Sequence, residues 1–154
     1  LDEIIVSSTK IRNALHDNKI ELANKLLGYD YFIRGKVIEG DGRGAKLGFP
    51  TANIKFDDAN KLVPSNGVFL VYSELSGKKF YGMANIGVRP TFHTNHPKTL
   101  EVYYFDLNQN LYGVDLAVHF LKFIRYEQKF DSIDALLRQL NHDKETCLEI
   151  INKY

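Results

Sequence analysis

The stretch Val114-Asp115-Leu116-Ala117-Val118-His119-Phe120-Leu121 decides the fold. Val114, Leu116, Val118 and Phe120 alternate with Asp115, Ala117, His119 and Leu121, and a period of two turns the first set toward a core. Working outward, noisier runs of the same kind occupy residues 31–38, 68–75, 79–86 and 100–107, and a shorter one lies near 51–54. Ser76-Gly77 and residues 108–113 read as turns between neighbouring strands. About six strands at such spacings suit a closed antiparallel barrel. A parallel sheet is disfavoured, because no crossover helix of about a dozen residues separates the strands.

On both flanks the period becomes helical. Residues 9–28 hold two short patterns, one with Ile11, Ala14 and Leu15 on a face and one with Ile20, Ala23 and Leu27. Ser8 or Thr9 suits the first cap and Gly28 the final stop. Beyond Phe130, Asp131 or Ser132 is a suitable N-cap for a helix marked by Ile133, Leu136, Leu137 and Leu140, and a second helix carries Cys147, Ile150, Ile151 and Tyr154. The change of period after Gly28 predicts a boundary between residues 1–28 and 29–154. The chain opens on Leu1 without an initiator Met, and residues 1–6 read as an apolar strand or loop end cut from something longer.

Composition narrows the function. The 154 residues, 44% apolar, fill one core. Lys and Arg total 20 against 19 Asp and Glu, a net charge of +1, which lacks the footprint of a non-specific nucleic-acid binder. The single cysteine, Cys147, excludes a disulfide framework and a Cys-rich zinc site, so a reducing cytoplasm is the expected home. No apolar run approaches the roughly 18–20 residues of a bilayer span, and no basic signal-peptide start is present, so neither a membrane nor export is expected.

Three segments carry chemistry. In Gly40-Asp41-Gly42-Arg43-Gly44-Ala45-Lys46-Leu47-Gly48-Phe49-Pro50-Thr51-Ala52-Asn53, glycines let successive N–H groups turn toward one concave spot, and such a nest suits phosphate, with Arg43 and Lys46 supplying charge. A plain hairpin loop is the other reading. Thr51 and Asn53, two apart, point the same way on an extended segment, either as a neutral oxygen pair for Mg²⁺ or as turn caps. Glu101, inside the apolar and aromatic run Leu100-Glu101-Val102-Tyr103-Tyr104-Phe105, is either a solvent-facing carboxylate or a held general base. Arg125-Tyr126-Glu127-Gln128-Lys129-Phe130 mixes charge with aromatics, suited to a flat heterocycle or to a surface connector. His16, His93, His96, His119 and His142 show no metal-ligand spacing.

Taken in order, the Gly-rich loop, Leu47-Gly48-Phe49-Pro50-Thr51-Ala52-Asn53, Asn85-Ile86-Gly87-Val88-Arg89-Pro90-Thr91-Phe92, Leu100-Glu101-Val102, Leu111-Tyr112-Gly113 and the Arg125 to Phe130 run closely resemble the riboflavin kinase module of bacterial bifunctional FAD synthetases, over residues 31–154. The resemblance implies a mainly β fold, a six-stranded antiparallel Greek-key barrel with C-terminal helices and a short N-terminal helical remnant. It implies transfer of the γ-phosphate of ATP to the 5′-hydroxyl of riboflavin, giving FMN and ADP. Thr51 and Asn53 match the family's Mg²⁺ ligands, and Glu101 its catalytic base. Gly40, Gly42, Arg43, Gly44 and Lys46 match the loop that closes on the nucleotide, with Tyr104, Asp106 and Tyr112 at further nucleotide contacts. Arg125, Glu127 and Phe130 match flavin contacts. One departure is Tyr103, where bacterial members commonly carry His.

Ser7-Ser8-Thr9-Lys10-Ile11-Arg12 resembles the last motif of the FMN adenylyltransferase module that precedes the kinase in the bifunctional enzymes. No His-x-Gly-His occurs, so conversion of FMN to FAD is expected of a longer parent protein and not of this chain. The rivals are a non-catalytic flavin-binding barrel, a single-strand-binding barrel, and a kinase using CTP. The joint presence of Thr51, Asn53 and Glu101 favours the ATP-dependent kinase over the first, and the net charge opposes the second.

Overall fold

In a computed structural model the described residues are 7–39, 45, 47–56, 61–88 and 98–154. Gly40, Gly42, Arg43, Gly44 and Lys46 lie outside them, as do residues 1–6, Arg89 to Phe92, His93 and His96. The elements run α1 (Ser8–His16), α2 (Ile20–Leu27), β1 (Phe32–Ile38), β2 (Ala52–Lys55), β3 (Gly67–Leu75), β4 (Lys78–Val88), β5 (Lys98–Tyr104), β6 (Asp115–Arg125) and α3 (Ile133–Ile151). All strand pairs are antiparallel, and the sheet closes in the order β1-β2-β5-β4-β3-β6. Strands β3, β4 and β5 follow one another, and β6 returns beside β3, which is a Greek key. The expected six-stranded barrel is the one observed.

Two apolar clusters explain the sequence pattern. Inside the barrel Ile33, Val37, Phe69, Val71, Ile86, Val102, Val118 and Phe120 pack together, and Ala14, Leu15, Ile20 and Ala23 join them, so α1 and α2 share this core. Asn24 of α2 ties the helices down, its amide donating to Phe120 O at 2.8 Å and its oxygen accepting from Tyr31 N at 2.7 Å. Outside the barrel Val68, Leu70, Met83, Phe49, Phe105 and Cys147 form a second cluster under Leu137, Leu140, Ile150 and Ile151 of α3. Strand β3 is therefore apolar on both faces, and Val68 to Val71 are buried without alternation.

Strand β6 is longer than its alternating half. Register shifts against β3 between Val68 and Phe69, and between Leu70 and Val71, leave Leu121 and Ile124 as extra residues. Each bulge advances the phase. Phe123 then packs on the barrel interior where strict alternation would put Lys122, while Leu121 and Ile124 reach the outer cluster.

The helical ends follow capping chemistry. Ser7 accepts from Lys10 N and Ser132 from Ala135 N, each at 3.1 Å, and Gly28 closes α2 with φ 82°. Past Phe130 there is one helix, not two. The apolar stripe of Leu136, Leu140, Cys147 and Ile150 is interrupted at Asp143, which occupies a buried seam position and is matched by Arg125. A polar residue in the seam broke the pattern without breaking the helix. Gly28 caps α2 where the helical segment gives way to β1.

Candidate active site

Strand β5 sorts its residues by face. Leu100, Val102 and Tyr104 enter the barrel core, which leaves Thr99, Glu101 and Tyr103 on the outer face. On either side of Glu101 the register sets Asn53 of β2 and Asn85 of β4 directly opposite. Side chains so paired stand about 5 Å apart at Cβ. The partly buried carboxylate is thus flanked by two amides at the outer wall of the barrel.

Two clefts open on this wall. The first, about 990 Å³, runs over Thr99, Glu101, Tyr103, Met83, Asn85 and Gly87, and is walled by Leu136 and Leu140 of α3 and by residues 127–130. Arg125, Glu127 and Phe130 all line it. Glu127 lies over Gly87 so closely that a Cβ there would sit 2.7 Å from its Oε1, so any larger residue would push this carboxylate away. Lys98, half-buried behind this wall, has its pKa lowered by burial and partly restored by Glu127; its Nζ donates to Asn66 Oδ1 at 2.7 Å.

Arg125 has a partner the sequence did not reveal. Its Nε donates to both carboxylate oxygens of Asp143 at 2.9 Å and its Nη2 to Oδ2 at 2.8 Å, while Gln139 adds a bond to Oδ1 at 2.9 Å. The Asp143 side chain is 1% exposed and that of Arg125 14%. Nη1 is held by Tyr126 O at 3.1 Å, and the Phe130 ring centroid lies 5.9 Å from the guanidinium carbon. Arg125 therefore pins the end of β6 to α3 and backs Phe130. The signal that could have found Asp143 was its place in the apolar stripe of the helix.

The second cleft, about 750 Å³, is built mostly from turns. Glu39, Pro50, Asp106, residues 108–110, Tyr112 and Lys144 line it. Tyr112 N donates to Asn110 Oδ1 at 2.9 Å, and Gly113 N reaches Val37 O at 2.9 Å, which ties this turn to β1. Asp106 has φ 57°, a left-handed conformation that Asp tolerates better than most residues. Tyr104 also lines the cleft, but its ring belongs to the barrel core, its hydroxyl meets Ser73 Oγ at 2.7 Å, and burial pushes its phenol up to about 12.

Thr51 and Tyr103 line both clefts, so the two spaces meet there. Asn53 lines neither, and stands beside Glu101 on the adjoining strand. Among the described residues no group of three or more His, Cys, Asp or Glu could hold a metal ion. No helix among them is long and apolar enough to cross a membrane.

Comparison with known proteins gives the family and agrees with the barrel fold. The family described as Flavokinase, riboflavin kinase, matches residues 27–151. A bifunctional riboflavin kinase/FMN adenylyltransferase of Bacillus subtilis (strain 168) is 43% identical over 145 residues, which cover 93% of this chain and 46% of that protein. The chain thus spans about half the length of the curated relatives it matches. Among solved structures, a macrolide-efflux protein from Streptococcus pneumoniae superposes with a TM-score of 0.87 at 39% identity, covering 96% of this chain and 48% of that one. A riboflavin kinase from Trypanosoma brucei shares the fold, with a TM-score of 0.55 at 24% identity over 79% of this chain and 80% of that one.

Proposed function

The chain belongs to the riboflavin kinase family, and from that premise we propose that it transfers the γ-phosphate of ATP to the 5′-hydroxyl of riboflavin, giving FMN and ADP. The observation that carries the proposal is the meeting of two clefts at Thr51 and Tyr103, with Glu101 in the wall of one of them. A phosphoryl group passes between two substrates only where their sites touch. Riboflavin takes the first cleft, between Arg125, Glu127 and Phe130, and the nucleotide takes the second, along Tyr104, Asp106 and Tyr112.

In this reading Glu101 accepts the proton of the 5′-hydroxyl as its oxygen attacks the γ-phosphorus. The new O–P bond forms as the β,γ-bridging P–O bond breaks, its electron pair leaving on ADP, and the proton passes from Glu101 to water. Asn53 and Asn85 stand opposite Glu101 on the neighbouring strands, where their amides are placed to orient the carboxylate. Thr51 and Asn53 offer neutral oxygens, a donor set that fits Mg²⁺ carried on nucleotide phosphates better than an all-protein cage. When bound, that ion neutralises charge on the transferring oxygens. By the resemblance, further phosphate contacts fall to Gly40, Gly42, Arg43, Gly44 and Lys46, which lie outside the described residues.

The resemblance assigns residues 29–154 to the kinase unit and matches Ser7 to Arg12 to the last motif of an adenylyltransferase module such as the bifunctional relatives are named for. The site of action is the cytoplasm. The test is incubation with riboflavin, ATP and Mg²⁺, with separation of the flavins by chromatography, repeated with EDTA and with FMN as substrate. FMN formed only with Mg²⁺, and no FAD from FMN, is the expected result. Riboflavin bound without any FMN formed would leave a flavin-binding barrel and remove the roles of Thr51, Asn53 and Glu101.

A further inference from the structure

Helix α3 reaches both clefts through adjacent residues. Asp143 grips Arg125 at the edge of the first, and Lys144 lines the second. Lys144 Nζ lies 3.4 Å from the Tyr103 hydroxyl and 5.6 Å from the centre of its ring. Tyr103 is itself one of the two residues common to both clefts, so the ammonium sits near their junction.

Charge makes this position consequential. The other ionisable carboxylates and amines among the described residues lining the second cleft are Glu39 and Asp106, both acidic. A nucleoside triphosphate is strongly anionic, and a lining with two carboxylates repels it unless cations are supplied close to the phosphates. Lys144 is the one lysine or arginine that the described part of this cleft provides. Its backbone is also held firmly. The preceding residue carries a buried, multiply bonded ion pair, which anchors α3 to the end of β6 at this point.

We propose that Lys144 binds the phosphates of the nucleotide at the junction of the two clefts, with the Tyr103 hydroxyl and ring aiming its ammonium group. The inference rests on the assignment of the second cleft to the nucleotide. It also accounts for tyrosine at position 103: a hydroxyl accepts from an ammonium while its ring shelters the stem, which a protonated imidazole would not do.

The test is calorimetric binding of Mg-ADP and, separately, of riboflavin to the wild-type chain and to Lys144→Met, Lys144→Gln, Lys144→Arg and Tyr103→Phe, alongside FMN formation. Loss of a charge-assisted contact to phosphate weakens Mg-ADP binding by about tenfold or more in the Met and Gln variants. Riboflavin binding stays within about twofold, Lys144→Arg recovers most of the loss, and Tyr103→Phe has an intermediate effect, as expected where charge and aim act separately. Raising the salt concentration narrows the gap between wild type and Lys144→Met. Unchanged Mg-ADP affinity in both neutral variants overturns the proposal, as does equal weakening of both ligands, which would make Lys144 a packing residue. Failure of the kinase reading looks different. The wild-type chain would then form no FMN, while the effect of Lys144 on Mg-ADP binding would persist.

Discussion

The two clefts are made from different materials. The floor of the first is the outer face of β4 and β5, where each side chain is placed by hydrogen-bonded register and backed by α3. The second is lined by chain turns, with Asp106 in a left-handed conformation and Asn110 holding the backbone of Tyr112. A register-built wall suits a group that must stay aligned with a reacting hydroxyl, since neighbouring strands restrict its movement. A turn-built wall suits a ligand that is itself flexible and is held at many points. The comparison teaches that alignment resides in the sheet and capture in the loops.

The sharpest way to break that division is at Glu101. Glu101→Gln keeps the shape of the wall and removes the base, so kcat falls by about 10² to 10⁴ fold while the unfolding midpoint stays close to wild type. Stopped-flow or steady-state FMN formation checks the first, and urea denaturation the second. Turnover near the wild-type rate would take Glu101 out of the mechanism.

Next in size is the buried pair behind the first cleft. Asp143→Ala leaves Arg125, whose side chain is 14% exposed in the intact pair, without its carboxylate, and costs about 3–5 kcal/mol of stability. The double replacement Arg125→Met with Asp143→Leu restores much of that stability by packing, yet riboflavin affinity stays reduced because Phe130 has lost its support. Urea midpoints and flavin fluorescence titrations separate the two effects. Riboflavin affinity that returns with stability would mean that Arg125 serves the fold alone.

Asn53→Ala probes the line between the two clefts. It removes a neutral oxygen beside Glu101 and raises the KM for Mg-ATP by about tenfold, a contact worth about 1–1.5 kcal/mol, with the riboflavin KM little changed. Titration of Mg²⁺ at fixed ATP is the measurement. An unchanged Mg²⁺ and ATP dependence removes the ligand role of Asn53.

What was legible in the sequence follows the same division. Most of the six strands were legible because one side chain in two meets a core, β3 being apolar on both faces, and Glu101 stood out as a carboxylate in an apolar run. The far half of β6 was not legible, since two bulges reset its phase at Leu121 and Ile124. The sequence of α3 reads as two helices because Asp143 holds a seam position that patterning assigns to an apolar side chain. The resemblance makes Arg125 a ligand contact, while its attachment to Asp143 depends on how α3 lies across the barrel. The meeting of the clefts at Thr51 and Tyr103 depends on which strands are neighbours, and Lys144 carries no local signature at all. Pairing between distant segments is what periodicity cannot report.

The smallest effect concerns what supports each cleft from behind. Burial pushes the Cys147 thiol, beneath α3, and the Tyr104 phenol, inside the barrel, up to about 12 from ordinary values of 9.0 and 10.0. Both groups are neutral in the folded chain where the unfolded chain already ionises. Their contribution to stability is therefore complete below about pH 9 and is lost progressively as pH rises toward 12. Urea midpoints at pH 8 and pH 11 should show the fall. Cys147→Ala flattens the part that begins near pH 9, behind the riboflavin cleft, and Tyr104→Phe the part that begins near pH 10, behind the nucleotide cleft. If neither substitution changes the slope, the alkaline loss arises elsewhere, and Tyr31 and Tyr72, whose phenols burial also pushes up to about 12, become the groups to test.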